Sequence, residues 1–300
     1  MRKRFSARCG VALAALLAAC SPKPGGSGAV HSGPASGGGA AAFRLDKLNN
    51  GIDNQIGGLG TCVILRDTGS GHEVYRYGDA VACMAQLPPC GLFDVPNSLI
   101  GLDQGVITPK TVLAWDGKPQ PVSLWQKDSD WLTAFRVGDE GWFGRLAAKI
   151  GPDQYVRQLR ALNFGDHNTA GPPGAFWMGP QAGGALTDDV EQQADFTRRF
   201  YAGDLPVKPD VIAMVQAQTL DETRTGPDGV YQVSGRAVSC PSVPDASRTA
   251  GWWTGRVKGP RGDWSFAAAV EGQEAPPGME IERRLKAVFT DAGLLPPAGS

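Results

Sequence analysis

The spacing of apolar residues changes several times along the chain. Thr61-Cys62-Val63-Ile64-Leu65 is a short apolar and β-branched run. It is followed by the turn-forming stretch Asp67-Thr68-Gly69-Ser70-Gly71 and a second strand-like segment, His72–Tyr77. Together they predict a β-hairpin. Helical spacing then takes over at Val95–Leu102, Trp131–Ile150, Asp153–Leu162 and Asp188–Tyr201. The last of these opens with Thr187-Asp188-Asp189, which supplies a cap and an acidic first turn. Strand-like segments return at Gly229–Ala237, Gly251–Val257 and Trp264–Val270, separated by Gly, Pro and Asp turns, and Glu280–Ala292 reads as an amphipathic helix stopped by Gly293. No internal repeat is visible. The order hairpin, helical block, three strands, helix requires a sheet built from both ends of the chain. That is an α+β domain with a helical insertion, and it excludes alternating parallel βα units.

The N-terminal segment follows different rules. Arg2, Lys3, Arg4 and Arg8 precede the apolar run Val11–Leu17, which is too short for a permanent membrane span. Residues 1–19 read as an export signal. Leu17-Ala18-Ala19-Cys20 resembles the bacterial lipobox, so Cys20 is the expected lipidated N-terminus; the alternative is an ordinary Ala-x-Ala signal in which Cys20 is incidental. More than one acyl chain on a single residue holds a protein stably on a membrane without crossing it. Ser21, rather than Asp, beside Cys20 favours the periplasmic face of the outer membrane within a bacterial cell envelope. Residues 20–42 are rich in Gly, Ser and Pro and lack large apolar side chains, so they read as a flexible tether with a span of roughly 25 Å. The folded domain is then 43–300.

Composition narrows the function classes. The 300 residues are 42% hydrophobic and 20% charged, enough for a sizeable core and incompatible with collagen, coiled coil or wholesale disorder. Basic residues (29) and acidic residues (30) balance, so no basic field is available for nucleic acid, and signal cleavage removes four basic residues and no acidic one. His31, His72 and His167 are scattered, and no His or Cys pair has zinc-site spacing, so neither a metal nor a cofactor is expected. With Cys9 in the signal and Cys20 acylated, Cys62, Cys83, Cys90 and Cys240 remain in an oxidising compartment. Four cysteines allow three pairings. Proximity in sequence favours Cys83–Cys90, which leaves Cys62 with Cys240.

Several segments resemble class D (oxacillinase-type) serine β-lactamases. They are Gly60-Thr61-Cys62-Val63, Phe93–Ile107, Trp115-Asp116-Gly117-Lys118-Pro119, Phe176-Trp177, Phe196–Pro206 and Gly251-Trp252-Trp253-Thr254-Gly255. They occur in the family's order between about residues 58 and 295. The resemblance implies the fold shared with penicillin-binding transpeptidases, a five-stranded antiparallel sheet flanked by helices with an all-helical region inserted. The active site would lie between the two.

The family's reactive motifs are altered in this sequence. Counting back from Pro96-Asn97, the family's Ser-x-x-Lys falls on Gly91-Leu92-Phe93-Asp94, and no serine in the chain has a lysine three residues later. Ser-x-Val falls on Gly138-Asp139-Glu140, and Lys-Thr-Gly on Arg236-Ala237-Val238. Tyr-Gly-Asn becomes Phe164-Gly165-Asp166, while Arg283 and Arg284 are out of register with the family's carboxylate-binding arginine.

Serine β-lactamases need an oxygen nucleophile, a base and a cation for the substrate carboxylate. Gly91 supplies no nucleophile. Asp94 cannot become the carbamylated base that the family makes of its lysine, and losing a nucleophile removes on the order of 10⁶ in rate. Cys90 is the one neighbouring residue able to replace it, and a structural disulfide competes for its thiol. Arg236 retains a cation, but Asp94, Asp139 and Glu140 would face the same cleft and repel anionic β-lactams. Alternatively, Asp94 and Arg236 form a structural bridge and Asp139 and Glu140 turn to solvent. Trp177 matches a position that walls the family's site, or it is core. The expectation is a catalytically inactive binding or interaction module whose partner is a peptidoglycan peptide or an envelope protein. A divergent β-lactamase or penicillin-binding protein, using Cys90 or a water activated by Asp94, is the alternative.

Overall fold

The computed structural model describes residues 43–58 and 60–298, so the signal, the Cys20 lipidation site and the tether lie outside the described residues. Among those residues, six strands form one antiparallel sheet in the order β2-β1-β8-β7-β6-β5. They are β1 (Thr61–Asp67), β2 (Glu73–Tyr77), β5 (Leu220–Gly226), β6 (Gly229–Pro241), β7 (Thr249–Gly259) and β8 (Gly262–Gly272). The resemblance implied five strands. The additional one, β5, is a polar, largely exposed edge strand, Leu-Asp-Glu-Thr-Arg-Thr-Gly, without the apolar alternation that marks a half-buried strand. Its place is set by the Gly226–Gly229 turn onto β6.

Alternation along the strands separates two cores. Val63 and Leu65 of β1, Trp253 of β7, and Phe266 and Ala268 of β8 face one side, where α1 (Leu45–Gln55) and α9 (Gly278–Ala292) cover them with Leu48, Ile52, Ile281, Leu285 and Phe289. Cys62, Ile64, Trp252, Ala267 and Ala269 face the other side. There they meet α2 (Ala80–Cys83), the 3₁₀ turn Cys90–Phe93 and α7 (Val190–Ala202). The α1 helix was not expected from the sequence, because Lys47, Asn49, Asn50 and Asn54 dilute its apolar stripe.

The helical region contains α3 (Asp94–Asp103), α4 (Trp131–Val137), α5 (Glu140–Ile150), α6 (Pro152–Leu162) and α8 (Pro209–Gln218), together with the short pair β3 (Val112–Leu113) and β4 (Ser129–Asp130). Its core is aromatic. Phe93 stacks on Trp177 with ring centroids 4.9 Å apart and meets Phe176 edge-on at 5.1 Å. The single helix expected over 131–150 is two. Gly138 takes the left-handed conformation (φ 60°) that ends α4, and the Asp139 side chain accepts the Trp142 amide proton to start α5.

The described cysteines form two disulfides, Cys62–Cys83 and Cys90–Cys240, which corrects the expected Cys83–Cys90 bridge. Sequence proximity misleads here because α2 packs back on β1, bringing Cys83 to Cys62. Cys90, with a left-handed backbone (φ 54°), meets the far end of β6. No described helix is long and apolar enough to cross a membrane.

Candidate active-site groove

The 3₁₀ turn Cys90–Phe93, the α4–α5 corner and the edge of β6 converge on a groove of about 440 Å³. Among the described residues, β6 beyond Ser234 pairs only with β7, so its other edge is free along Gly235–Ser239 apart from the Gly235 N–H donating to the Thr219 carbonyl (2.8 Å); at Cys240 and Pro241 it is covered by the disulfide to Cys90 and by Gly179. Gly91, Gly138, Glu140, Arg236 and Val238 all line this groove. The positions selected from sequence therefore come together in space. The groove also has walls that the sequence did not reveal: Trp125, Arg136, Met178, Asp221, Ser239, Met279 and Glu282. Met279 is three-quarters exposed at the start of α9, and nothing in the sequence marks it as a groove residue. Ser239 was missed because β6 runs four residues past its predicted end.

At Gly91 the environment is crowded for a side chain. A Cβ built there would sit 2.8 Å from Oε1 of Glu140 and 3.1 Å from Cγ1 of Val238. Both atoms belong to residues at the altered family positions. Glu140 turns inward, not to solvent, and its Oε2 accepts a hydrogen bond from Nε1 of Trp177 (3.0 Å). Trp177 is otherwise a core residue, buried among Phe93 and Phe176; it touches the site through its N–H and does not line the groove.

Asp94 is fully buried and forms an ion pair with Arg236. This is the structural bridge anticipated as one reading of the pair. Arg236 also donates to the Phe135 carbonyl (2.7 Å), and its guanidinium carbon lies 4.5 Å from the Phe135 ring centroid. The cation expected to meet a ligand is thus engaged by two residues through three contacts. Asp139 is buried as the α5 cap, its Oδ1 accepting from the Trp142 amide (2.8 Å). Oδ1 of Asp94 and Oδ2 of Asp139 have no partner among the described residues.

Asp94 and Glu140 therefore share Arg236 in a poorly solvated corner, while Arg145 and Lys127 act on the neighbouring Asp139. Burial, then the charge of Glu140, pushes the Asp94 carboxyl well above the ordinary carboxylate range, with Arg236 opposing. Burial likewise pushes Glu140 up to about 7, against the Trp177 hydrogen bond and Arg236. Burial raises Asp139 as well, restrained first by the Trp142 amide. Desolvation and like charge act in the same direction on Asp94 and Glu140, so the titrations of these two are linked.

Cys90, the residue weighed as a replacement nucleophile, is fully buried and disulfide-bonded, so it presents no thiol. Phe164 is core, and Gly165 and Asp166 lie away from the groove lining. Arg283 and Arg284 pair with Glu280 on α9. No group of metal-ligating side chains occurs among the described residues.

Residues 73–275 match the penicillin-binding protein transpeptidase domain, and the chain belongs to that family. Within it, the likeness is to class D β-lactamases. β-Lactamase OXA-48 of Klebsiella pneumoniae is 27% identical over 184 residues, 61% of this chain and 65% of that protein, so the match spans less than two thirds of its length. Regulatory protein BlaR1 of Bacillus licheniformis is 22% identical over 228 residues, 76% of this chain and 36% of that protein. Among solved structures, FUS-1 (OXA-85), a class D β-lactamase from Fusobacterium nucleatum subsp. polymorphum, superposes with a TM-score of 0.72 at 19% identity. The superposition covers 84% of this chain and 99% of that one. The α+β fold is that of class D β-lactamases.

Proposed function

We propose that this chain is a catalytically silent member of its family, carried by its N-terminal lipid on the periplasmic face of the bacterial outer membrane and retained as a binding module. The observation that carries this reading is the absent side chain and occupied space at Gly91. A nucleophile is absent there, and the space its side chain would need is taken by the Glu140 carboxylate and Val238. The neighbouring groups support the same reading. The residue at the family's base position, Asp94, is buried and tied to Arg236, leaving it without access to a substrate or to a water in the groove. Cys90 is held in a disulfide. A fold can outlast its chemistry, and BlaR1, a relative over three quarters of this chain, is named as a regulatory protein and not as a β-lactamase. The open groove and the free β6 edge suit a peptidoglycan peptide or a segment of an envelope protein.

Fluorescent penicillin followed by intact-protein mass spectrometry tests the proposal. The expected result is an unmodified mass and no nitrocefin turnover above buffer. A penicilloyl adduct at stoichiometric yield would overturn it.

A further inference from the structure

The recess beside Gly91 has a particular chemistry. On the proposed silent reading, on which this inference rests, the groove retains its shape but not its counter-ion for carboxylates. Arg236 is occupied by Asp94, by the Phe135 carbonyl and by the Phe135 ring. Arg136, the other cation of the lining, is exposed in the last turn of α4, where solvent screens it. Asp94 and Asp139 both act on Glu140 against the single cation Arg236, Arg145 and Lys127 acting on Asp139, so Glu140 itself has no cation beside it that is not already engaged. Of these three, Glu140 is the carboxylate that reaches the groove, with Oε2 fixed by Trp177 and Oε1 facing Gly91 without a partner among the described residues; Asp221 and Glu282, the other carboxylates of the lining, are paired with Lys286. Trp125, Met178, Val238 and Met279 supply apolar walls around it.

We infer that this recess takes a primary ammonium group carried on an aliphatic stem, with Oε1 of Glu140 as its counter-ion and the apolar walls covering the stem. Such a group brings the missing cation to a desolvated carboxylate cluster, where a charge-assisted hydrogen bond is strong. A carboxylate entering the same recess meets like charge, and the one guanidinium nitrogen of Arg236 without a partner among the described residues, Nε, is buried. A peptide lying along the free β6 edge could present a lysine-type side chain there. Binding would hold Glu140 ionised. The groups that face it are Asp94 from α3, Asp139 at the start of α5, Arg236 from β6 and the Trp177 N–H. Affinity should therefore rise as Glu140 loses its proton, between about pH 6 and about pH 8.

The probe is the blocked tripeptide acetyl-Gly-Lys-Gly-amide, compared with its Nε-acetyl-lysine form. Each is titrated into the ¹⁵N-labelled protein while the Gly91, Gly138 and Ser239 amides are followed. The lysine peptide is expected to shift these amides and to bind at least about tenfold more tightly than the acetylated one. Glu140→Gln, which retains the acceptor for Trp177, should remove that difference. Equal binding of the two peptides, no shift up to about 10 mM, or an unchanged preference in a folded Glu140→Gln protein would each overturn the inference. The wild-type comparison decides the matter even if the variant fails to fold. A penicilloyl adduct would defeat the silent reading itself, whereas absence of both adduct and lysine binding would defeat this inference alone.

Discussion

Asn97 and Ser98 in the body of α3, and Asp94 in its first turn, are all buried polar residues, but their surroundings differ. Oδ1 of Asn97 accepts from the Tyr155 hydroxyl. Oγ of Ser98 accepts from Nε1 of Trp131 (2.8 Å) and donates to the Asp94 carbonyl (2.6 Å). One turn earlier, Asp94 has one oxygen on Arg236 and the other unpaired, beside two further carboxylates. The helix body is satisfied as a folding element should be, and its first turn is not. Fold and chemistry are thus stored in separate residues of one helix, so the family's scaffold persists here while its reactive groups are replaced.

The largest test of that separation is in the aromatic layer. Phe93 lies between Gly91 and Asp94 in sequence but packs with Trp177, Phe176, Tyr155 and Phe164. Phe93→Ala should cost about 3–5 kcal/mol in urea unfolding, the usual penalty for emptying a buried aromatic site. A cost below about 1 kcal/mol would mean that the layer is not what holds the first turn in place.

The disulfides divide along the same line. Cys62–Cys83 closes a short loop (separation 21) within the sheet and its adjoining helix, while Cys90–Cys240 closes a long one (separation 150) between the groove's two walls. Replacing each pair with alanine should cost about 2–5 kcal/mol. Because loop-closure entropy scales with the logarithm of loop length, the Cys90–Cys240 pair should cost roughly 1.5–2 kcal/mol more. Paired urea titrations of the two double variants check this order. The reverse order would show that the wall-to-wall link is strained or redundant.

The same division explains what the sequence disclosed. The hairpin, α3, α6, α7 and the three C-terminal strands were legible because periodicity records which face is buried. The groove positions were legible through resemblance, since Gly91, Asp94, Gly138, Glu140, Arg236 and Val238 occupy motif positions whose neighbours are intact. Contacts between distant segments left no such record. The Cys90–Cys240 pairing depends on where β6 ends, β5 has no apolar alternation to announce it, and the inward turn of Glu140 depends on Trp177, 37 residues away. Gly138 and Asp139 carried helix-breaking and capping chemistry that a long apolar period concealed.

A smaller effect should appear in the pH dependence of stability. Glu140 has its folded pKa raised from an ordinary 4.5 to about 7, so between those values the native state binds more protons than the unfolded chain. Stability therefore falls as pH rises through that window and levels off above it, and Asp94 acts in the same direction. One such group contributes at most about 1.4 kcal/mol per pH unit. The difference in unfolding free energy between wild type and Glu140→Gln should follow this slope from about pH 5 to about pH 7. A flat difference would place the Glu140 carboxylate in solvent and remove the ground for assigning it to the groove floor.

Asp139 offers the finest test because it serves both regions at once. One oxygen caps α5 through the Trp142 amide, a folding function that asparagine performs equally well. Its charge raises both Glu140 and Asp94, an effect on the groove that asparagine lacks. Asp139→Ala should cost about 1 kcal/mol through the lost cap, partly offset by the relief of repulsion among the carboxylates. Asp139→Asn should leave stability at neutral pH within about 0.5 kcal/mol of wild type. It should also move the Glu140 titration, followed by ¹³C NMR of the carboxyl carbon, to lower pH. An Asp139→Asn protein as unstable as Asp139→Ala, with an unmoved Glu140 titration, would show that the cap and the carboxylate cluster are not coupled through this residue. The boundary between scaffold and groove would then fall between Asp139 and Glu140.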